Sequence, residues 1–316
     1  MAAELRDDDI FVYMGGDQRV PSRVRRAKIH KDVKRVRARA FYGRFHLIYL
    51  EFHDEVEIIE EHAFYGCYSL RSAKLLGVKT IKKYAFYECW ALTDVEFGDK
   101  LKTIEQYAFY FCKALKKIKI PSARTIGEEA FTSCSELTDV EFGEDLRTLQ
   151  ARAFVRCTKL KRIALPLLKS NMIEKDVFDS CPKLTTVDLV GGVHKTIASL
   201  LLESWRSEMN EDINYINQTL SYIPTAWKTG EIQQWIKCSF HQLNHYKAEH
   251  HRLLKEATTL LELALWKANL NDNNGGEGEG VRTTRSRRKR ARKEICVTSG
   301  ASIVIKNVLP FLQLPG

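Results

Sequence analysis

Apolar positions return along this chain with a period of 22 to 24 residues. The fixed point is phenylalanine, at Phe41, Phe64, Phe86, Phe109, Phe131, Phe154 and Phe178. Alanine stands directly before every one of these except Phe178, where Val177 takes the place. Three residues after the Phe come Arg44, Cys67, Cys89, Cys112, Cys134, Cys157 and Cys181, and six after it Leu47, Leu70, Leu92, Leu115, Leu137, Leu160 and Leu184. Five before it run Val36, Ile59, Ile81, Ile104, Ile126, Leu149 and Ile173. Alternating pairs follow the leucines, such as Val95 with Phe97, Ile118 with Ile120, and Val140 with Phe142. Strict alternation over a short run predicts a half-buried strand, and the Ala-Phe-x-x-Cys segment, with apolar residues at helical spacing, reads as a short helix or turn. One strand and one short helical turn per coil predict an α/β repeat solenoid, each unit burying its apolar face against its neighbours.

Leu92-x-x-Val95-x-Phe97 and Leu137-x-x-Val140-x-Phe142 fit the L-x-x-L-x-L core of leucine-rich repeats. With the Ile-x-x-x-Ala-Phe-x-x-Cys-x-x-Leu extension, the chain resembles the BspA-type subclass over residues 33–192, in seven copies. It departs from the general consensus where an Asn or Cys would follow the strand. The resemblance implies a leucine-rich-repeat fold and a protein-interaction module whose ligand is not specified.

The flanks lose the period. Residues 1–32 are expected to be a tail and an N-terminal β cap, with a strand over Ile10–Tyr13 and a second from Val20 onward, since open solenoid ends expose core and sheet edge. Residues 193–270 are expected to form a helical C-terminal cap. Helical spacing runs over 196–222 and 239–269, broken between by Pro224 and Gly230. On the second stretch Leu243, Tyr246, His250, Leu253, Leu254, Ala257, Leu260, Leu261 and Ala264 share a face, and Trp205, Trp227, Trp235 and Trp266 supply area for docking. Residues 271–300 read as a flexible linker with a basic cluster, and 301–316 as an apolar tail.

The net charge of +10 is concentrated in 19–39 and 282–293. The run Arg287, Arg288, Lys289, Arg290, Arg292 and Lys293 resembles a nuclear import signal; a nucleic-acid arm and a solvated insert are its rivals. The opening residues have no apolar run, so no signal peptide is expected, and no apolar stretch is long enough for a membrane span. An intracellular location follows as the expectation, the nucleus first and the cytoplasm as the alternative. Six of the eight cysteines occupy the repeat column, which predicts a ladder of small buried thiols in a reduced compartment. Their spacing does not suit a metal site. His241 and His245 stand four apart but lack the His-Glu-x-x-His pattern, and no glycine-rich nucleotide motif is present. No catalytic set emerges, so the expectation is a non-enzyme without cofactor or metal.

Two surfaces remain. Outward strand positions alternate in sign from coil to coil, with Asp94, Glu96, Lys117, Lys119, Asp139 and Glu141 at the centre. They predict either self-satisfied cross-strand pairing or a charge-patterned surface for a protein partner. Tyr42, Tyr65, Tyr87 and Tyr110 follow the Phe column directly, and Phe45, Tyr68 and Trp90 stand four after it. Later coils put Thr132, Val155 and Asp179, and Ser135, Thr158 and Pro182, at those places. Core demands recur in every coil, so a pattern confined to the first four marks either an interface or a stiffening ladder. The expected function is non-catalytic protein–protein interaction with an unidentified protein, and no membrane is involved. The alternative is a nuclear factor that contacts nucleic acid through 19–39 and 282–293.

Overall fold

The computed structural model describes residues 10–167, 170–190 and 203–274. The import-signal candidates at 287–293 and the apolar tail lie outside the described residues.

Each coil of the array carries two strands. The longer ones are β1 (Ile10–Tyr13), β2 (Arg26–Ile29), β4 (Tyr49–Glu51), β6 (Ser72–Leu75), β8 (Asp94–Phe97), β10 (Lys117–Ile120), β12 (Asp139–Phe142), β14 (Arg162–Leu165) and β15 (Thr186–Leu189). Between them come the two-residue strands β3 (Arg35–Val36), β5 (Ile58–Ile59), β7 (Thr80–Ile81), β9 (Thr103–Ile104), β11 (Thr125–Ile126) and β13 (Thr148–Leu149). The longer strands form the sheets β1-β2-β4 and β6-β8-β10-β12-β14-β15, and the short ones the sheet β3-β5-β7-β9-β11-β13. Neighbours run parallel and each column residue faces its own copy, as in Val36 with Ile59 and Ile59 with Ile81. The Ile column thus belongs to a strand of its own, where the sequence suggested one strand per coil.

The Ala-Phe-x-x-Cys segment is a pair of turns rather than a helical turn. The residue two before each Phe (Arg39, His62, Tyr84, Tyr107, Glu129, Arg152, Asp176) has φ between 53° and 58°. The residue two after it (Gly43, Gly66, Glu88, Phe111, Ser133, Arg156, Ser180) has φ between 56° and 68°. A left-handed residue at both ends ends any helix. It also turns the amide between them toward the next coil. Phe64 N–H donates to Ala85 O at 2.7 Å, Phe86 to Ala108 at 2.7 Å, and Phe109 to Ala130 at 2.8 Å. Apolar residues at helical spacing point inward here because the turns return them to one face, while their backbone bonds run between coils.

Those bonds set the core. The Phe rings form one continuous stack; Phe86 and Phe131 lie 5.0 and 5.1 Å from Phe109, with planes within 4°. The Ala, Phe, Cys and Leu columns are buried from Ala63 onward. Where two coils touch backbone to backbone, a side chain has no room: a Cβ on Gly98 would lie 2.0 Å from Leu76 O, and one on Gly143 1.6 Å from Pro121 O. Both glycines directly follow a strand, two residues before the place where the general repeat consensus has Asn or Cys, which here is Lys100 and Asp145.

The N-terminal segment is built into the array. β1 and β2 pair parallel, in register with β4, so the strands of 10–32 continue the coil pattern. Tyr13 is fully buried and meets Phe41 at 5.3 Å, ending the Phe stack. Arg44, at the first Cys position, donates Nε to Val20 O at 2.8 Å.

Two helices follow, α1 (Glu203–Tyr222) and α2 (Thr225–Asn274). Pro224 separates them as expected; Gly230 does not break α2, because one interior glycine costs only about 1 kcal/mol relative to alanine. α2 also runs to Asn274, into the segment expected to be linker. The chain divides into two units, one of Met1–Thr196 with Arg206–His241 and the other of Ile197–Trp205 with Gln242–Gly316. In the first, helix side chains meet the last coil. Phe178 N–H donates to Thr229 Oγ1 at 2.9 Å, the bond that Phe154 N–H makes to Val177 O one coil earlier. Val187 N–H donates to Asn217 Oδ1 at 2.8 Å. Gln233 Nε2 donates to Ile173 O and Glu174 O, and Lys228 Nζ to Pro182 O at 3.0 Å. Trp235 is buried, whereas Trp227 and Trp266 are exposed and so do not serve the docking role expected of them. In the second unit Leu243, Tyr246 and His250 are buried, and Leu253, Leu260 and Leu261 are exposed.

Phe109→Ala is expected to cost about 3–5 kcal/mol, because it removes a ring packed on both faces. Tyr110→Ala is expected to cost about 1 kcal/mol, since its ring is half-buried and stacks on one side only. Urea denaturation of the two variants measures the difference; equal losses would contradict it.

Candidate functional site

Three surface columns flank the buried Phe stack, and all three are aromatic in the early coils. Directly after the Phe, Tyr42, Tyr65, Tyr87 and Tyr110 stack at 4.9, 4.8 and 5.0 Å, with planes within 11°. Four after it, Phe45, Tyr68 and Trp90 stack at 5.1 and 4.1 Å. Two before it, His62, Tyr84 and Tyr107 stack at 4.8 and 5.0 Å. This third column is absent from the sequence reading. It was visible there as a ring two residues before successive phenylalanines, but its left-handed backbone gave no strand or helix signal to attach it to.

The spacing is that of the coils, so each ring lies face to face with its copy and turns an edge outward. Tyr42, Phe45 and Trp90 are exposed, and Tyr65, Tyr87 and Tyr110 half-buried. Burial, with Glu88 and the neighbouring phenols behind it, pushes the Tyr87 hydroxyl up to about 12. Lys113 Nζ sits over Trp90 and Phe111 at 5.1 and 5.3 Å, a cation on the ring faces where the columns stop. The aromatic area therefore combines a stacked ladder with an exposed edge.

On the sheet face the expected charges come together. Asp94, Glu96, Lys117, Lys119, Asp139 and Glu141 line one groove with Phe97 and Pro121. Register puts Lys117 beside Asp94 and Asp139. Lys119 reaches Glu141 at 2.8 Å, Lys74 reaches Glu96 at 3.6 Å, and Arg162 bridges Asp139 at 3.0 Å and Asp188 at 2.6 Å. Exposed pairs of this kind are worth about 0–1 kcal/mol each. Their main effect is to offset much of the charge on this face, although the groove lining itself holds four carboxylates against two lysines. Ala164 stands at an outward register position yet is buried.

The basic stretch 19–39 is likewise distributed over paired positions. Lys28 meets Glu51 at 2.7 Å, Arg35 meets Glu60 at 2.9 Å, and Arg37 meets Asp17 at 3.1 Å.

The six column cysteines are buried thiols. Each donates to the carbonyl of the preceding Phe, from Cys67 to Phe41 O at 3.2 Å through Cys181 to Phe154 O at 3.1 Å. Burial pushes the Cys67 thiol up to about 12 and Cys112, Cys134 and Cys157 well above the usual range, so they are not nucleophiles. His241 and His245 are exposed. No group of three or more His, Cys, Asp or Glu suited to a metal occurs among the described residues, and no described helix is long and apolar enough to cross a membrane.

A thiol reagent is expected to label exposed Cys238 in the native protein and the column cysteines only on unfolding. Mass mapping after a timed pulse tests this; prompt labelling of Cys112 would contradict it. The tyrosine ladder carries a pH dependence. A phenol raised from about 10 to about 12 stays protonated in the folded state after it ionises in the unfolded chain. Its contribution to stability is complete below pH about 10 and is lost as pH rises toward about 12. The urea midpoint is expected to fall over that window, and less steeply in Tyr87→Phe.

A family model described as BspA type leucine rich repeat region matches residues 22–80, 34–161 and 79–202, in six copies, together more than half of the chain. Similar solved structures include a leucine-rich repeat protein of T. pallidum, 25% identical over 52% of this chain and 68% of that one, with a TM-score of 0.38. Another is a leucine-rich repeat protein from Bacteroides ovatus, 25% identical over 48% of this chain and 51% of that one, TM-score 0.30. A third, from Eubacterium ventriosum, is 21% identical over 52% of this chain and 48% of that one, TM-score 0.37. The chain thus spans about half the length of the second and third. No curated protein matches it. Nothing in the comparisons supports contact with nucleic acid. The repeat columns and the family match agree: the chain belongs to the BspA-type leucine-rich-repeat family.

Proposed function

We propose that the protein is a non-catalytic protein–protein interaction scaffold and that its partner binds the aromatic face of the first four coils. The observation that carries this is the confinement of all three aromatic columns to coils that end at Tyr110 and Phe111. The Phe, Cys and Leu columns that hold the array continue to Phe178, Cys181 and Leu184. Stability alone does not require the surface rings to stop halfway. Tyr42 and Trp90 are the exposed anchors, and the edges of Tyr65, Tyr87 and Tyr110 supply a row of hydroxyls between them. Aromatic groups with one polar end are the side chains that most often dominate interfaces. The sheet groove is the weaker choice, because its charges are already paired across strands.

Two supports fit a scaffold role. Thr229, Asn217, Lys228 and Gln233 bond to the last coils, so the helical region acts as a C-terminal cap that keeps the open end from pairing with other chains. The column thiols are held as core, so the array's own repeats present no thiol at the surface.

The test is affinity capture with the intact protein and mass-spectrometric identification of what it retains. Tyr65→Ala with Tyr87→Ala is expected to lower retention of the main partner by tenfold or more. Glu96→Ala with Lys119→Ala is expected to leave it unchanged. A reversed order of the two pairs would place the partner on the sheet face.

A further inference from the structure

The tyrosine column ends at an unfilled step. Tyr87 covers one face of Tyr110 at 5.0 Å with planes 5° apart. The neighbours within its own region, Tyr107 and Phe111, meet it edge-on at 71° and 65°, so they flank the ring and do not continue the stack. The next column positions hold Thr132 and Val155. A cavity opens there, lined by Tyr110, Thr132, Val155, Arg156 and Asp179, with Glu129, Arg152 and Asp176 also on its wall. Thr132 Oγ1 is turned down onto Arg152 O at 2.7 Å, which leaves its methyl group for the floor.

Charge decides what fits. The wall carries acidic groups (Glu129, Asp176, Asp179) and basic ones (Arg152, Arg156) together. A carboxylate guest would meet three carboxylates, and a guanidinium guest would compete with Arg156 and with Arg152, which already meets Glu129 at 3.8 Å. A neutral ring avoids both penalties, and a hydroxyl on its edge finds a donor and an acceptor on the wall. The ring face of Tyr110 and Val155 supply apolar surface in an otherwise polar cavity, and a guest ring stacked on Tyr110 would continue the spacing at which the other rings of the column already stack.

We propose that this cavity is an anchor site for a tyrosine side chain of the partner, which enters as the next ring of the Tyr42–Tyr65–Tyr87–Tyr110 column. It deepens the reading of the aromatic face as the partner surface and rests on it. The site extends that surface by one coil toward the C-terminal end and gives it a defined stop.

The probe is N-acetyl-tyrosinamide, titrated into the intact protein while the Val155 methyl signals are followed by NMR. A saturable shift is expected. Tyr110→Ala, read at the same methyls, is expected to weaken binding about tenfold, and Glu96→Ala, on the sheet face, to leave it unchanged. Thr132→Tyr is expected to abolish binding by supplying the ring from the chain itself, with the circular dichroism spectrum retained. Should that variant misfold, Val155→Phe fills the same slot from the next coil, with the Tyr110 ring signals as readout. No saturable shift in the wild type would overturn the proposal. So would binding that survives both filled-slot variants, or tighter binding of N-acetyl-argininamide than of the tyrosine probe. The outcome is separable from the broader reading: if only the slot fails, the Tyr65/Tyr87 pair still governs capture. If the aromatic face itself is wrong, that pair has no effect whatever the probe does.

Discussion

The hydrogen bond from each Phe amide to the residue before the next Phe, an Ala carbonyl from Phe41 through Phe131, is the constraint on which the rest of the array depends. At 2.7–2.8 Å over the central coils it locks successive turns together in register. With the three parallel sheets, it fixes the step between coils near the spacing of β-strands. Every residue then faces its own copy one step away. A side chain is acceptable in a column only if it packs against itself, which aromatic rings do by stacking, aliphatic chains by nesting, and thiols by donating to the carbonyl behind. The left-handed residues on either side of each Phe are the local cost of aiming these amides outward, and glycine holds the second site only at Gly43 and Gly66.

The same step governs both surfaces. On the sheet face, opposite charges fall beside each other and neutralise, as Lys119 with Glu141 and Arg162 with Asp139. On the turn side, rings fall face to face and present edges. The sheet side is thus a groove of largely paired charges, and the turn side a corrugated aromatic strip with a row of hydroxyls. The strip is the more selective surface, since its hydroxyls and ring edges stand at positions fixed by the backbone. It ends at Tyr110, where the next coil offers Thr132 and a mixed-charge wall.

An array built on self-pairing has a problem at each end, where the last copy has no neighbour. The described structure handles the ends differently. At the N-terminal side Tyr13 closes the Phe stack from a parallel strand, and the long Arg44 side chain replaces the first thiol and reaches the Val20 carbonyl. At the other side Thr229 and Asn217 provide acceptors for amides that would otherwise face the next coil, while Lys228 and Gln233 provide donors for its carbonyls. Burial pushes the Lys228 ammonium down, so this contact is made against a desolvation cost.

Period and column identity were legible in the sequence because each copy repeats the same packing problem, and seven solutions in phase are hard to mistake. Phe, Cys and Leu were read as core and are core. The alternating strand pairs, and the register that sets Lys119 beside Glu141, follow from the period alone. What the sequence misassigned was local conformation. Apolar spacing in Ala-Phe-x-x-Cys does not distinguish a helical turn from two turns with left-handed residues, because both return the same side chains inward. That the N-terminal strands join the array in parallel was not legible, since the pairing is decided by a partner further along the chain. The end contacts of Thr229, Asn217 and Gln233 had no signature, being single side chains on helices that meet the coils across 30 to 60 residues. The sequence by itself determined what repeats, because repetition is a local and cumulative signal. Only the tertiary structure decided where the backbone bonds go, how the array ends and which ring face is left open, because each of those depends on a neighbour the local pattern does not contain.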